Sequence, residues 1–422
     1  MKTIKHQASV PGTSATQKPV TNFFMKSNIT DDVKRGEILL ASFVAEHNLS
    51  INVMEHLPQL VKAVCKDSTI AKEISCSRTK TTAIIKSVTG ASEKEHLVAD
   101  LKTSKFSLLI DESTDRGCVK LLAVVVKYYK NGEIRDALLG LVPVQDTTGE
   151  KLYEQLVKLL NDNGIPYKNN MVGFAADGAN AMMGQHNSVA SRLLIDIPNL
   201  YVLKCICHSF ALCASYACTK LPREAEGLVR DVFNYISTSP KRMGVIKQFQ
   251  EFLSLKPHKM LHPCQTRWLS LRAAVMRVLE QYEALKLYFT EAAFSDRLNS
   301  AESILQMLNN PYNKIYLQFL EFALDFFTKL NKIMQSEKPQ IHKLHENLSN
   351  TYKTFLDCYL GSAYLMRTEL QNVQHDNPRH YKPIEEIYLG VNVASSLSSS
   401  NLSPNDIKLF KLRCLEFYTA SN

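Results

Sequence analysis

The chain is 422 residues long, 45% hydrophobic and 22% charged, a balance that allows one large core or two to three ordinary ones and excludes fibrous or globally disordered architecture. Its longest apolar runs, such as LLAVVV at 121–126, fall far short of the roughly 20 residues of a membrane span, and the amino terminus lacks the charged-then-apolar pattern of a secretory signal. A net charge of +9 favours an acidic partner, of which nucleic acid is the commonest. Ten cysteines scattered through apolar stretches read as buried reduced thiols, which points to a cytosolic or nuclear compartment.

Residues 1–30 are rich in Thr, Ser, Lys and Pro without sustained period, and are expected to be a linker or tail. From Asp31 amphipathic segments take over (38–49, 53–64, 81–88), giving a small helical region over 31–105. The period then changes. FSLLI (106–110), VKLLAVVVKYY (119–129) and IRDALLGLVPV (134–144) read as three strands, the last two joined at Asn131-Gly132, a strong hairpin signal. A helix over 149–164 follows, with Leu152, Leu156, Val157 and Leu160 on one face and Gly164 at its end. MVGFAAD (171–177) is a strand, 179–197 a helix, YVLKCIC (201–207) a strand and 209–221 a helix, so the order is βββαβαβα.

That order carries a topological consequence. Three meandering strands, then a helix and a strand returning by a right-handed crossover, place the fourth strand parallel beside the first. Asp111 ends the first and Asp177 the fourth, so two carboxylates distant in sequence converge at the carboxyl edge of the sheet, where open α/β sheets bind ligands. Beyond about 275 the pattern is all helical: 278–289, a stretch after Pro311 with Ile315, Phe319, Phe322, Phe326, Leu330 and Ile333, and 341–360. Residues 395–404 (SSLSSSNLSP) read as a loop or connector, and 406–418 as a closing helix. The fold class expected is α/β plus all-α: a mixed sheet over 106–274 and a large helical region over 275–422.

Three motifs carry chemistry, and each admits two readings. In IDESTD (110–115) and AADGAN (175–180), Asp111 and Asp177 either hold a divalent ion or cap local structure, Asp111 with Ser113 and Thr114 and Asp177 ahead of Ala179. Cys205, Cys207, His208, Cys213 and Cys218 invite zinc, but their spacing fits no common finger, and buried thiols are the expectation. Arg267 beside Trp268, the sole tryptophan, offers a phosphate fork and a stacking ring, or else a helix-end contact and a core residue. From Lys241 to Arg277 eight basic residues stand against Glu251 as the one acid, either a nucleic-acid footprint or a solvated helix face. Nucleotide-loop, serine-hydrolase and zincin signatures are absent from the sequence.

Taken in order, IDESTD, AADGANAMMG, CICH and TRW resemble the motif series of hAT-superfamily transposases, particularly their domesticated relatives with BED- or TTF-type fingers, over about residues 104–271. The resemblance implies an RNase H-like core interrupted by a helical insertion, with Asp111 and Asp177 as the first two acids of a metal-binding DDE triad. It further implies that Cys205 and His208 form the CxxH motif shaping the active-site side, and that Arg267 and Trp268 contact DNA. The third acid, a glutamate after the insertion, and the dimerisation region are not identified in a sequence that ends at Asn422. The expectation is a domesticated, catalytically inactive nuclear protein that binds DNA or chromatin, with further protein partners through the helical region. It would need Mg²⁺ or Mn²⁺ only if active, and no zinc. The alternatives are an active metal-dependent transposase or nuclease, with Glu280 or Glu283 as the third acid, and a protein-interaction scaffold without nucleic-acid binding.

Overall fold

The computed structural model describes residues 29–115, 117–263, 269–295, 298–336 and 340–421. The segment 1–30 lies outside the described residues up to position 28, and residues 29 and 30 already open the first helix. The chain divides into two compact units, Met1–Cys205 and Ile206–Asn422. The division falls directly after the last strand, inside the stretch 106–274 that the sequence reading treats as one core.

The first unit begins with α1 (Ile29–Glu46), α2 (Leu57–Val64), α3 (Thr69–Glu73), α4 (Arg78–Ile84) and α5 (Gly90–Thr103). Ser68 and Ser77 accept hydrogen bonds from the first turns of α3 and α4, satisfying amide donors that a short helix cannot use itself. Glu37 is only 3% exposed, and its charge is answered by the Ser75 amide at 3.0 Å and Lys80 Nζ at 2.5 Å, which tie α1 to α4.

β1 (Phe106–Thr114), β2 (Lys120–Lys130), β3 (Glu133–Pro143), β4 (Met171–Ala176) and β5 (Tyr201–Lys204) form one mixed sheet in the order β3-β2-β1-β4-β5. The first three pair antiparallel, whereas β4 lies parallel to both β1 and β5. Asn131 (φ 52°) and Gly132 (φ 87°) are both left-handed, the geometry whose twist closes a two-residue hairpin. α6 (Gly149–Asp162) and α7 (Tyr167–Asn170) connect β3 to β4; α8 (Asn180–Met183) and α9 (Val189–Asp196) connect β4 to β5. Both crossovers step the same way across the sheet, so right-handed connections lay them on one face. Strand alternation meets them there: Leu108, Ile110, Val124 and Phe174 share a core with Leu152, Leu156 and Leu193, and each fully buried leucine contributes about 2 kcal/mol of apolar burial. At Gly149 a Cβ would come within 2.4 Å of the Asn187 carbonyl oxygen, so α6 starts against the α8–α9 link only because that residue has no side chain.

Asp196 closes this layer at the last residue of α9, where the helix macrodipole disfavours an anion. It accepts from Tyr153 on α6 at 2.5 Å, and from Tyr167 and Lys168 on α7 at 2.7 Å each. Burial by itself would raise this carboxyl, but the hydrogen bonds from Lys168, Tyr153 and Tyr167 outweigh it and hold Asp196 below the usual range.

Two connections differ from the sequence expectation. The stretch 179–197 is two helices, because the Gly184 amide closes α8 on Asn180 and Ser188 opens α9 with a capping box to Ser191. The strand expected over 201–207 stops at Lys204: β4 ends at Ala176, and after the Cys205 amide bonds the Ala176 carbonyl no ladder remains.

Among its described residues the second unit is built of helices joined by loops, with one isolated bridge between Leu360 and Tyr381: α10 (Ile206–Cys218), α11 (Arg223–Ser237), α12 (Pro240–Phe252), α13 (Leu269–Glu280), α14 (Tyr282–Ser295), α15 (Asn299–Asn309), α16 (Pro311–Met334), α17 (Ile341–Leu356), α18 (Ser362–Arg367), α19 (Val391–Ser399) and α20 (Pro404–Ala420). α16 is the long central helix and packs against α10, α13 and α19. Phe319 on it meets Phe417 and Tyr418 edge-on at 5.2 and 5.5 Å, and Tyr418 stacks on Tyr359 at 5.5 Å. Buried hydroxyls find carbonyls, Tyr418 that of Tyr388 and Tyr359 that of His375. The helix expected over 278–289 is broken at Gln281, which is fully buried and donates to the Lys256 carbonyl. The first half of the connector expected over 395–404 belongs to α19, and a non-helical link remains over 400–403: Ser398 and Ser399 return their hydroxyls to carbonyls four residues back, and buried Val393 anchors the helix. No described helix is long and apolar enough to cross a membrane.

Candidate metal and nucleic-acid site

β1 and β4 bring the two aspartates of the sequence reading together. In β1 the buried positions are Phe106, Leu108 and Ile110, so Ser107, Leu109 and Asp111 take the face away from the crossover helices. In β4, Phe174 and Ala176 share the buried face, leaving Ala175 and then Asp177 on the other. The parallel register pairs Ser107 with Gly173 and Leu109 with Ala175. That last pair ends the ladder, so Asp111 and Asp177 each lie two residues beyond it, Asp111 still within β1 and Asp177 one residue past the end of β4. Asp111 is exposed and Asp177 half-buried, so water reaches both.

The local settings of the two acids differ. β1 does not turn at Asp111; it continues to Thr114, with Asp111 paired to Ala123 of β2. The acid that builds the turn is Asp115, whose Oδ1 accepts from the Val119 amide at 2.9 Å. Asp177 does take a local partner, since its Oδ1 accepts from the Ala179 amide at 3.0 Å and thereby shapes the entry to α8.

Cys205 belongs to the same row. Its amide bonds the Ala176 carbonyl at 2.9 Å, and the β4–β5 register, continued by one residue, brings it level with Asp177. His208 lies in the first turn of α10 and is half-buried. Farther along α10, burial pushes the Cys218 thiol up to about 12, so it stays protonated at neutral pH. Among the described residues, no group of three or more His, Cys, Asp or Glu side chains is gathered as a metal-holding cluster.

Glu280 and Glu283, the glutamates considered for a third acid, are both in ion pairs in the second unit. Glu280 receives His258 Nδ1 at 2.7 Å and Arg277 Nε at 2.9 Å, and Glu283 receives Lys314 Nζ at 3.0 Å. Arg267 and Trp268 lie outside the described residues. Of the other basic residues from Lys241 to Arg277, Arg242 sits 3.8 Å from the Tyr235 ring centroid, Arg272 pairs with Asp325 at 3.0 Å, and Lys247 pairs with Glu251 at 3.5 Å. Lys241, Lys256 and Lys259 are exposed. Some of the charge of that stretch therefore braces the helices and some faces water.

Residues 42–188 match the family model DUF4371, described as "ZMYM1/FAM200, RNase-like domain". The match covers just over a third of the chain and contains both aspartates. A solved structure titled "Drosophila P element transposase strand transfer complex" is similar at 12% identity over 94% of this chain and 93% of that one, with a TM-score of 0.24. A score of that size does not establish a shared fold.

Proposed function

We propose that the protein is a transposase-derived chain of hAT type, in which an RNase H-like core binds DNA or chromatin in the nucleus and has little or no strand-transfer activity. The observation that carries this reading is the parallel pairing of β1 and β4 in a β3-β2-β1-β4-β5 sheet, with Asp111 and Asp177 each two residues beyond its last registered pair, Leu109–Ala175. The match of residues 42–188 to an RNase-like family supports it.

The pair suits one hard divalent ion. Mg²⁺ takes one or two carboxylates and keeps several waters, and both aspartates are open to water. Asp111 and the Asp177 oxygen not committed to Ala179 would hold it, while the Ala179 amide fixes the Asp177 rotamer. When bound, such an ion supplies charge neutralisation at a phosphate and an activated water or 3′-hydroxyl. Two carboxylates alone hold such an ion loosely, so metal binding by this chain is expected to be weak.

Two measurements test this. Mn²⁺ binding followed by electron paramagnetic resonance should be weak but present, and should be lost in both Asp111→Asn and Asp177→Asn; equal binding by the variants would remove the metal site. Purified protein with Mg²⁺ or Mn²⁺ should neither cleave nor join DNA ends. Activity that disappears on Asp111→Ala would overturn the inactive reading and restore an enzyme.

A further inference from the structure

The second unit carries a charged groove that none of the motifs identifies. Tyr216, Lys220 and Arg223 at the α10–α11 turn, His375 and Asp376 in the link after α18, and Arg413 and Glu416 on α20 line an open space of about 930 Å³. Buried Leu221 and the α11 N-cap Pro222 hold the turn, so Lys220 and Arg223 project from a fixed base.

Its charges do not cancel. Glu416 is answered inside the groove by Arg413 at 3.1 Å. Among the described residues, neither Lys220 nor Arg223 has a carboxylate within ion-pair distance. Lys220 Nζ instead lies 4.7 Å from the centroid of the Tyr216 ring, and that ring is 57% exposed. Asp376 remains as the opposing acid. Small-molecule sites enclose their ligand in mostly apolar walls; this groove is open and polar, and suits a segment of an extended chain. Cations that reach an anionic backbone, beside an aromatic face left open to water, are the combination by which proteins hold unpaired nucleotides.

We infer that this groove is a nucleic-acid contact, with Lys220 and Arg223 on phosphates of a single strand and an unstacked base against Tyr216. The inference rests on the nucleic-acid binding proposed above and is independent of the Asp111–Asp177 pair.

The test is fluorescence anisotropy of a labelled single-stranded oligonucleotide with the full chain, across a range of KCl concentrations. Lys220→Ala/Arg223→Ala should weaken binding roughly tenfold or more and flatten the dependence of log Kd on log salt by about 1.4, the slope expected for two single-strand phosphate contacts. Tyr216→Leu should weaken single-strand binding by roughly tenfold with the salt slope unchanged. Lys343→Ala/Lys353→Ala removes the same charge from α17, outside the groove, and should do neither. Circular dichroism checks folding, and Lys220→Gln alone, expected to flatten the slope by about 0.7, serves if the double variant unfolds. An unchanged slope in the groove variants, or an equal loss in the α17 variant, would overturn the groove while leaving nucleic-acid binding intact. Wild-type protein that binds no nucleic acid would remove both.

Discussion

The two units are stabilised by different means. The first is aliphatic: Leu, Val and Ile from alternating strand positions meet α6 and α9, and a polar knot at Asp196 locks the outer ends of three helices. The second is aromatic: Phe319, Tyr359, Phe417 and Tyr418 interlock around α16, joining segments about 100 residues apart in sequence. A period-2 aliphatic sheet writes its own layout into the sequence, and it is in that unit that the candidate acids can be followed from residue to position. Aromatic side chains on helices declare that they are buried without declaring against what.

The sharpest way to break this comparison is Phe319→Ala. Phe319 is completely buried, so its truncation should cost about 3–5 kcal/mol. Calorimetry should show a transition of the helical unit moving down while that of the sheet unit stays; a common shift of both would make the two cores one cooperative system. Gly149→Val should be nearly as damaging to the first unit, about 3 kcal/mol, because its Cβ meets backbone that cannot yield.

Asp196→Asn should cost about 2 kcal/mol, since it weakens three hydrogen bonds to a largely buried carboxylate. Its depressed pKa sets the sign of the pH dependence. The unfolded chain binds this proton more readily, so Asp196 stabilises the fold above the ordinary carboxylate range, and that contribution fades as the pH falls through its lower folded value. Acid titration of stability should therefore be shallower in Asp196→Asn. The smallest effect is expected from Asp111→Asn. Removing a charge exposed beside another carboxylate should change stability by less than about 0.5 kcal/mol. A large loss would assign Asp111 to the architecture and away from a ligand.

The setting of the candidate site was legible beforehand. The parallel pairing of β1 and β4 follows from strand order and crossover handedness, both local or near-local rules. Where β1 ends was not legible, because a carboxylate two residues before Ser113 looks the same whether the strand stops or continues; the antiparallel partner β2 carries it on to Thr114. Gln281 likewise breaks a helix that periodicity makes continuous, since its bond to Lys256 depends on a loop the pattern does not describe.

What the sequence determined by itself is therefore the order βββαβαβα, the hairpin at Asn131-Gly132 and the parallel pairing of the strands that lead to Asp111 and Asp177. Each rests on backbone geometry that nearby residues impose. The tertiary structure alone decided which charges are spent and which remain. Arg272 and Glu280 are consumed in pairs, while Lys220 and Arg223 come to share a groove with Arg413 from some 190 positions away. Ion pairing depends on distance in space, and no spacing along a chain encodes which helix will lie opposite.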